Sequence, residues 1–249
     1  HILAEVMKRA YADRSKHLGD MDFYDVPFSL MSKGYASLLN KSISVNSRTA
    51  SKNVFAGDPY PYESPDTTHF SVMDQYGNVV SNTYTLNFSY GSGIMIPGTG
   101  MLMNNEMDDF SSKPGVPNGY GLLGSEANSI EANKRPLSSM TPTIIFKDDK
   151  PYLVLGSPGG SRIITTVLQV ALNVMEHGMN VAQAVNSPRI HHQWLPETLM
   201  IEKGFGPDTE KLLEEKGYKL YPSSTMGSVQ AILKDGEYFY GAADPRRPG

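Results

Sequence analysis

The sequence predicts an α+β fold in which sheets are stacked between helices. Three observations carry that expectation: a helical opening, a strand-rich character that begins at Thr67, and a later block of helices followed by a closing hairpin. Strands and helices do not alternate one for one, which argues against a doubly wound parallel sheet. At 249 residues the chain has the length of one large domain, or of one and part of another.

The first helix follows from Ile2, Val6, Ala10 and Tyr11, which share a face, with Gly19 as the expected stop. A second helix is expected after Pro27, using Phe28, Met31, Tyr35, Leu38 and Leu39. Residues 42–66 then turn polar and carry Pro59, Pro61 and Pro65 among Ser, Asp and Asn, the composition of an exposed linker. Residues 69–73 and 79–86 read as a hairpin around Asp74-Gln75-Tyr76-Gly77-Asn78, and residues 142–146 and 152–156 as a second around Lys147-Asp148-Asp149-Lys150. A helix over 161–177 closes at Gly178. A shorter one starts at Asn180 as its cap and ends before Pro188, and a third over 208–216 stops at Gly217. The last elements are strands 229–233 and 238–241 around Lys234-Asp235-Gly236-Glu237.

Composition removes several function classes. With 22 Lys+Arg against 26 Asp+Glu the net charge is −4, and no basic tract marks a nucleic-acid binder. The absence of cysteine excludes disulfides, Cys-ligated zinc, iron–sulfur clusters and a thiol nucleophile. The most apolar stretch, residues 163–175, is broken by Thr165, Thr166, Gln169 and Asn173, so no membrane span is expected. The chain opens at His1 with neither an initiator Met nor an apolar signal segment, and the expectation is a processed chain or a fragment.

Four stretches can carry chemistry, and each also has a plain structural reading. At Asp66-Thr67-Thr68-His69 an open linker meets a strand; threonines are common strand starters. If the chain were cut before Thr67, a terminal amine of pKa ~7.7–8.0 would sit beside the hydroxyl, a recognised nucleophile–base arrangement. Gly156-Ser157-Pro158-Gly159-Gly160-Ser161-Arg162 joins a strand to a helix, where converging backbone N–H groups can hold an oxyanion, or where the glycines simply allow a tight turn. It lacks the Lys of a phosphate-binding loop and the spacing of a dinucleotide fingerprint. Asn104-Asn105-Glu106-Met107-Asp108-Asp109-Phe110 offers carboxylates to an ammonium or a hard metal ion, or is a solvated turn. Lys134-Arg135-Pro136-Leu137-Ser138-Ser139-Met140 offers two hydroxyls to a carboxylate, or is a loop. His191-His192-Gln193-Trp194 reads as packing, because adjacent side chains diverge and no third ligand sits at a metal-binding spacing.

Together these four stretches resemble the γ-glutamyltranspeptidases, members of the N-terminal-nucleophile hydrolase superfamily, in their C-terminal half. The resemblance runs from Tyr11-Ala12-Asp13-Arg14-Ser15 to Asp244-Pro245-Arg246, with the motifs in the family's order. It implies a four-layer αββα sandwich and a precursor that cleaves its own Asp66–Thr67 bond. Residues 1–66 would then be the tail of a large subunit and residues 67–249 the small, catalytic subunit. Thr67 would be the nucleophile, Thr85 would orient it, and the N–H groups of Gly159 and Gly160 would hold the oxyanion. Asn87, Glu106 and Asp109 would bind the ammonium of a γ-glutamyl group, and Ser138 and Ser139 its carboxylate. Residues 114–120 resemble a mobile lid gated by Tyr120.

The implied substrates are glutathione and other γ-glutamyl compounds, with water, amino acids or peptides as acceptors, and no cofactor or metal. The implied partner is the remaining large-subunit sequence, which supplies a carboxylate-binding arginine that Arg9, Arg14 and Arg48 do not match. A periplasmic or secreted location is implied as well. Two rival readings remain: a glutaryl or cephalosporin acylase of the same fold, and a non-catalytic fragment acting as a binding or structural unit.

Overall fold

The computed structural model describes residues 1–54 and 67–247. The linker prolines and Asp66 lie outside that range. Along the chain come α1 (Ile2–His17), α2 (Lys33–Lys41), β1 (Thr68–Met73), β2 (Val79–Tyr84), β3 (Thr143–Lys147) and β4 (Lys150–Gly156). These are followed by α3 (Ile163–Met175), α4 (Val181–Asn186), β5 (Ile190–His191), β6 (Leu199–Glu202), α5 (Pro207–Glu215), β7 (Leu220–Ser223), β8 (Gln230–Asp235) and β9 (Tyr238–Ala243). The class is α+β. The described residues fall into two compact units: 1–54 with 106–138 and 190–223, and 67–105 with 139–189 and 224–247.

In the first unit α1 packs near β5, in a small sheet of order β5-β6-β7 in which β6 and β7 run parallel. Ala4 and Met7 of α1 meet Leu199, Ile201, Leu213 and Tyr218 in one apolar cluster. Beside it α1 buries an ionic group: Glu5 accepts from Lys8 Nζ, Arg9 Nη1 and the Tyr218 hydroxyl, each at 2.7 Å. These bonds hold the Glu5 carboxyl down at about 2 against the upward push of burial. The helix ends at His17, two residues before the expected stop. Gly19 has a different use: a Cβ there would overlap the Ala127 carbonyl. The expected second helix is split. A 3-10 turn over Phe28–Met31 is followed by Ser32, whose hydroxyl accepts from Tyr35 N at 3.1 Å and caps α2.

In the second unit the β1–β2 hairpin lies on a four-stranded sheet of order β3-β4-β8-β9, and α3 and α4 pack against that sheet. Leu153, Leu155, Val167, Val170, Val185 and Val229 form the core between the sheet and these helices. The β3–β4 turn forms at Asp148 and Asp149, both at positive φ (51° and 58°). Asn180 and Gln183 close a reciprocal cap on α4. β1 carries His69 directly over Gly156 of β4, where any Cβ would overlap the imidazole ring.

Candidate active site

The expected nucleophile sits at the head of β1. Thr68 pairs with Tyr84, so the antiparallel register places Thr67 and Thr85 opposite each other one residue further on. The Thr67 hydroxyl donates to Thr85 Oγ1 at 3.3 Å. Thr85 Oγ1 in turn accepts from the Asn87 N–H at 2.9 Å, which ends β2 two residues before its expected limit and turns the chain away. Asn87 adopts φ 74° and is buried, and its side-chain amide donates to the Asn105 carbonyl at 3.2 Å. Asn105 Oδ1 returns a bond by accepting from Phe88 N at 3.0 Å. A cavity of about 410 Å³ opens beside this hydroxyl pair, lined by Thr67, Thr68, Tyr84, Thr85, Phe88 and Arg247 among others.

The glycine corner belongs to the same unit. Gly159 has φ 140° and Gly160 φ 54°, and a Cβ on Gly159 would lie 3.4 Å from Gly227 Cα. Gly160–Arg162 forms a 3-10 turn that leads into α3, so the corner adjoins the positive end of a helix. Beneath it the Ser157 hydroxyl donates to Pro158 O at 2.6 Å and accepts from Ser228 N at 2.9 Å.

The carboxylates belong to the first unit, the chain passing from one unit to the other between Asn105 and Glu106. Glu106–Asp109 is a single 3-10 turn, which brings the two carboxyls onto each other. Burial, and then the neighbouring Glu106 carboxyl, push Asp109 up to about 7, with Arg14 acting in the opposite sense; burial also raises Glu106. Near neutral pH the pair therefore holds a proton between its members. Asp108, on the same turn, accepts from Gly119 N at 2.9 Å.

The expected lid is folded against its own unit. Asn118 Oδ1 accepts from the N–H groups of Tyr120 and Leu122, each at 3.0 Å, and the Tyr120 carbonyl accepts from Gln193 Nε2 at 3.1 Å. Tyr120 is 5% exposed. Ser138 and Ser139 fall on either side of a unit boundary. Ser138 is exposed and follows Leu137, whose N–H donates to Asn128 Oδ1 at 2.9 Å; the Ser139 carbonyl accepts from Thr141 Oγ1 at 2.8 Å.

His191, His192 and Trp194 are buried, and burial takes His192 down to about 3. No group of three or more His, Cys, Asp or Glu is arranged to hold a metal ion among the described residues. Arg14, Asp108 and Arg247 take places beside the expected residues that the sequence reading did not give them. Arg14 lies inside the first stretch of the resemblance and Arg247 directly follows its last residue, so adjacency to a motif was the one available signal.

A strand-leading threonine steadied by a second hydroxyl, with a glycine corner in the same unit, defines a candidate hydroxyl-nucleophile site. The Gamma-glutamyltranspeptidase family model matches residues 1–249, and the chain belongs to that family. A glutathione hydrolase proenzyme of Escherichia coli (strain K12) is 57% identical over 248 residues, which is 98% of this chain and 43% of that relative. A solved acivicin-inhibited gamma-glutamyltranspeptidase, described as revealing critical roles for its C-terminus in autoprocessing and catalysis, is 57% identical at a TM-score of 0.71, over 72% of this chain and 98% of that one. A cephalosporin acylase from Bacillus halodurans reaches a TM-score of 0.79 at 25% identity, over 98% of this chain and 42% of that one. The chain spans less than half the length of the curated relatives it matches.

Proposed function

We propose that this chain carries the nucleophile of a self-processing γ-glutamyl hydrolase/transferase acting on glutathione and other γ-glutamyl compounds. The observation that carries the reading is the Thr67–Thr85 hydroxyl pair at the head of β1, in a chain that matches its family along its whole length. Maturation begins when Thr67 Oγ attacks the carbonyl carbon of Asp66. The acyl group moves from nitrogen to oxygen, and water hydrolyses the resulting ester, leaving residues 1–66 and 67–249 as separate polypeptides with a free amine on Thr67. In the relative with autoprocessing, 72% of this chain, or about 179 residues, matches nearly all of one separate polypeptide. Residues 67–249 number 183, and that agreement in length supports the division.

In the mature site the Thr67 amine takes the hydroxyl proton as Thr67 Oγ attacks the γ-carbonyl carbon. The bond to Thr85 holds the Thr67 side chain in one orientation. The N–H groups of Gly159 and Gly160 receive the oxyanion, worth ~3–4 kcal/mol per donor in comparable sites. Collapse breaks the C–N bond, the amine of Thr67 returns its proton to the leaving nitrogen, and a γ-glutamyl ester remains on Thr67. Water or the amine of an amino acid or peptide then attacks the ester and regenerates the hydroxyl.

Glu106, Asp109 and Asn87 bind the substrate ammonium, Ser138 and Ser139 its carboxylate, and Tyr120 gates the pocket. The remaining large-subunit sequence completes the site as a heterodimer partner, and a four-layer αββα arrangement and a periplasmic or secreted location belong to the same reading. The second unit supports the layered part with a helical layer and two stacked sheets.

A glutaryl or cephalosporin acylase is the second reading, favoured by the likeness to the Bacillus halodurans enzyme. Glutaryl substrates lack the α-ammonium, so the half-buried Glu106–Asp109 pair argues for γ-glutamyl compounds. The test is γ-glutamyl-p-nitroanilide turnover by this chain with and without the remaining large-subunit sequence, together with mass spectrometry of the full precursor. A product beginning at Thr67 and release of nitroaniline are expected, and Thr67→Ala abolishes both. Normal processing of Thr67→Ala removes Thr67 from its role, and no turnover by the complete precursor leaves the structural-fragment reading.

A further inference from the structure

The cavity on Thr67 has an unassigned cation. None of the groups that the proposed function uses for the γ-glutamyl moiety (Asn87, Glu106, Asp109, Ser138, Ser139) or for the oxyanion (Gly159, Gly160) lines it. Its volume, about 410 Å³, is that of a small-ligand site. Thr67 and Thr85 form its nucleophile side, Tyr84 and Phe88 give it ring surface, and Arg247 brings a guanidinium into a protein of net charge −4.

Arg247 is placed there by a built anchor rather than by a loose terminus. Asp244 is buried, accepting from Arg189 Nη2 at 2.6 Å and from Val229 N at 2.9 Å. Arg246 then clamps the turn. Its Nη1 donates to the Val185 carbonyl at 2.9 Å and to Asp244 Oδ1 at 3.1 Å, and its Nη2 donates to the Ser187 carbonyl at 2.9 Å. With residue 246 fixed to the end of α4, the next side chain has a set origin, and it lines the nucleophile's cavity. A guanidinium lining such a cavity is suited to a carboxylate, which it can meet with two parallel N–H bonds.

We infer that Arg247 is a specificity-determining residue that binds the carboxylate of the amine half of the reaction: the leaving dipeptide of a glutathione-like donor, or the acceptor amino acid or peptide that replaces it. The inference rests on the γ-glutamyl reading. That half of the substrate must lie across Thr67 from the γ-glutamyl group, because the C–N bond being broken joins the two. Such amines end in a free carboxylate with no receptor among the residues assigned so far. The site selects donors and acceptors with a terminal carboxylate over neutral amines.

The test uses the complete precursor, matured and checked by mass spectrometry for a Thr67 terminus, as wild type, Arg247→Ala and Arg247→Lys. Glutathione carries the leaving-group carboxylate and γ-glutamyl-p-nitroanilide does not; glycylglycine and glycylglycine amide make the same contrast among acceptors. The ratio of kcat/KM for glutathione to that for γ-glutamyl-p-nitroanilide is expected to fall about tenfold or more in Arg247→Ala, through KM, with partial return in Arg247→Lys. The wild-type preference for glycylglycine over its amide should disappear in parallel. An active wild type whose two ratios are unchanged by Arg247→Ala, or variants that lower both members of each pair equally, overturns the inference and leaves the γ-glutamyl reading standing. If Arg247→Ala does not mature, the wild type decides through its acceptors, and equal use of glycylglycine and its amide overturns the inference. A mature wild type inactive on every γ-glutamyl donor removes the reading and the inference together.

Discussion

The Asp108 carboxylate accepts the Gly119 N–H at 2.9 Å, tying the turn that bears Glu106 and Asp109 to the segment that ends at Tyr120. Charge-assisted bonds of this kind are stronger than neutral ones. A lid that opens at Tyr120 has to release this bond or carry the acidic turn with it. The Glu106–Asp109 turn and the segment leading to Tyr120 are therefore mechanically joined.

Asp108→Ala should loosen the segment that ends at Tyr120 while sparing the two carboxylates beside it. Amide hydrogen exchange across residues 114–121 is expected to accelerate by ~10-fold or more, the equivalent of losing one bond to a charged acceptor. Unchanged exchange at Gly119 would show that the remaining bonds, from Asn118 and Gln193, hold the segment unaided.

The acidic pair gives a pH dependence with a defined sign. Asp109 is raised to about 7 by burial and by Glu106, so below neutral pH the pair carries less negative charge. An ammonium binds best to the fully ionised pair. KM for γ-glutamyl-p-nitroanilide should fall as pH rises through 7, with a slope no steeper than ~10-fold per pH unit for one coupled proton. Asp109→Asn should raise KM for that substrate far more than for a des-amino glutaryl analogue, and flatten the profile. Equal effects on both substrates would remove the ammonium role.

Gly156 is required by a ring rather than by a turn. His69 Nδ1 lies 2.7 Å from Thr83 Oγ1 and Nε2 lies 3.0 Å from Ser71 Oγ, leaving the imidazole no route of retreat from β4. Gly156→Ala should destabilise the protein by ~1–3 kcal/mol, as overpacking of a tight contact does, and lower the denaturant midpoint. A neutral effect would mean that β1 slides over β4 without loss.

Acid should unfold the first unit through two groups. His192 is buried neutral at about 3, below its usual 6.5, so the unfolded chain gains a proton that the native one refuses as pH falls from 6.5 towards 3. Glu5 sits at about 2 instead of 4.5, so the stability it contributes is complete above pH 4.5 and disappears between 4.5 and 2. The Glu5 part is on the order of 3 kcal/mol at 1.36 kcal/mol per pKa unit. Glu5→Gln should be less stable at neutral pH, having left Lys8 and Arg9 buried without their carboxylate, yet flatter below pH 4.5 in urea titrations. A parallel pair of curves would assign the acid response elsewhere.

The hairpins were legible because their turns are chemically explicit: Asp148-Asp149 takes the positive φ that a two-residue connection demands, and Gly77 and Gly236 do the same in theirs. Helix α4 was legible from Asn180 and Pro188. The sheet β5-β6-β7 was not, since strands of two and four residues are too short to show a period, and β6 meets β7 only after the intervening α5. The break at Ser32 was hidden because Phe28, Met31 and Tyr35 keep a helical spacing across it. At the site, each motif could be found by resemblance, but its alternatives could not be separated by spacing. Thr67 and Thr85 are 18 positions apart, and only the strand register brings their hydroxyls together.

The first unit's apolar cluster joins Ala4 and Met7 to Leu199, Ile201, Leu213 and Tyr218, and its ionic group joins Glu5 to Tyr218. A break before Thr67 would put these partners on different polypeptides while leaving every one of the contacts intact. Scission of the backbone and separation of the pieces are then different events, the second requiring that core to come apart. The processed molecule should migrate as one body on a native gel and as two only after denaturation, a nicked protein held together by the fold it already had.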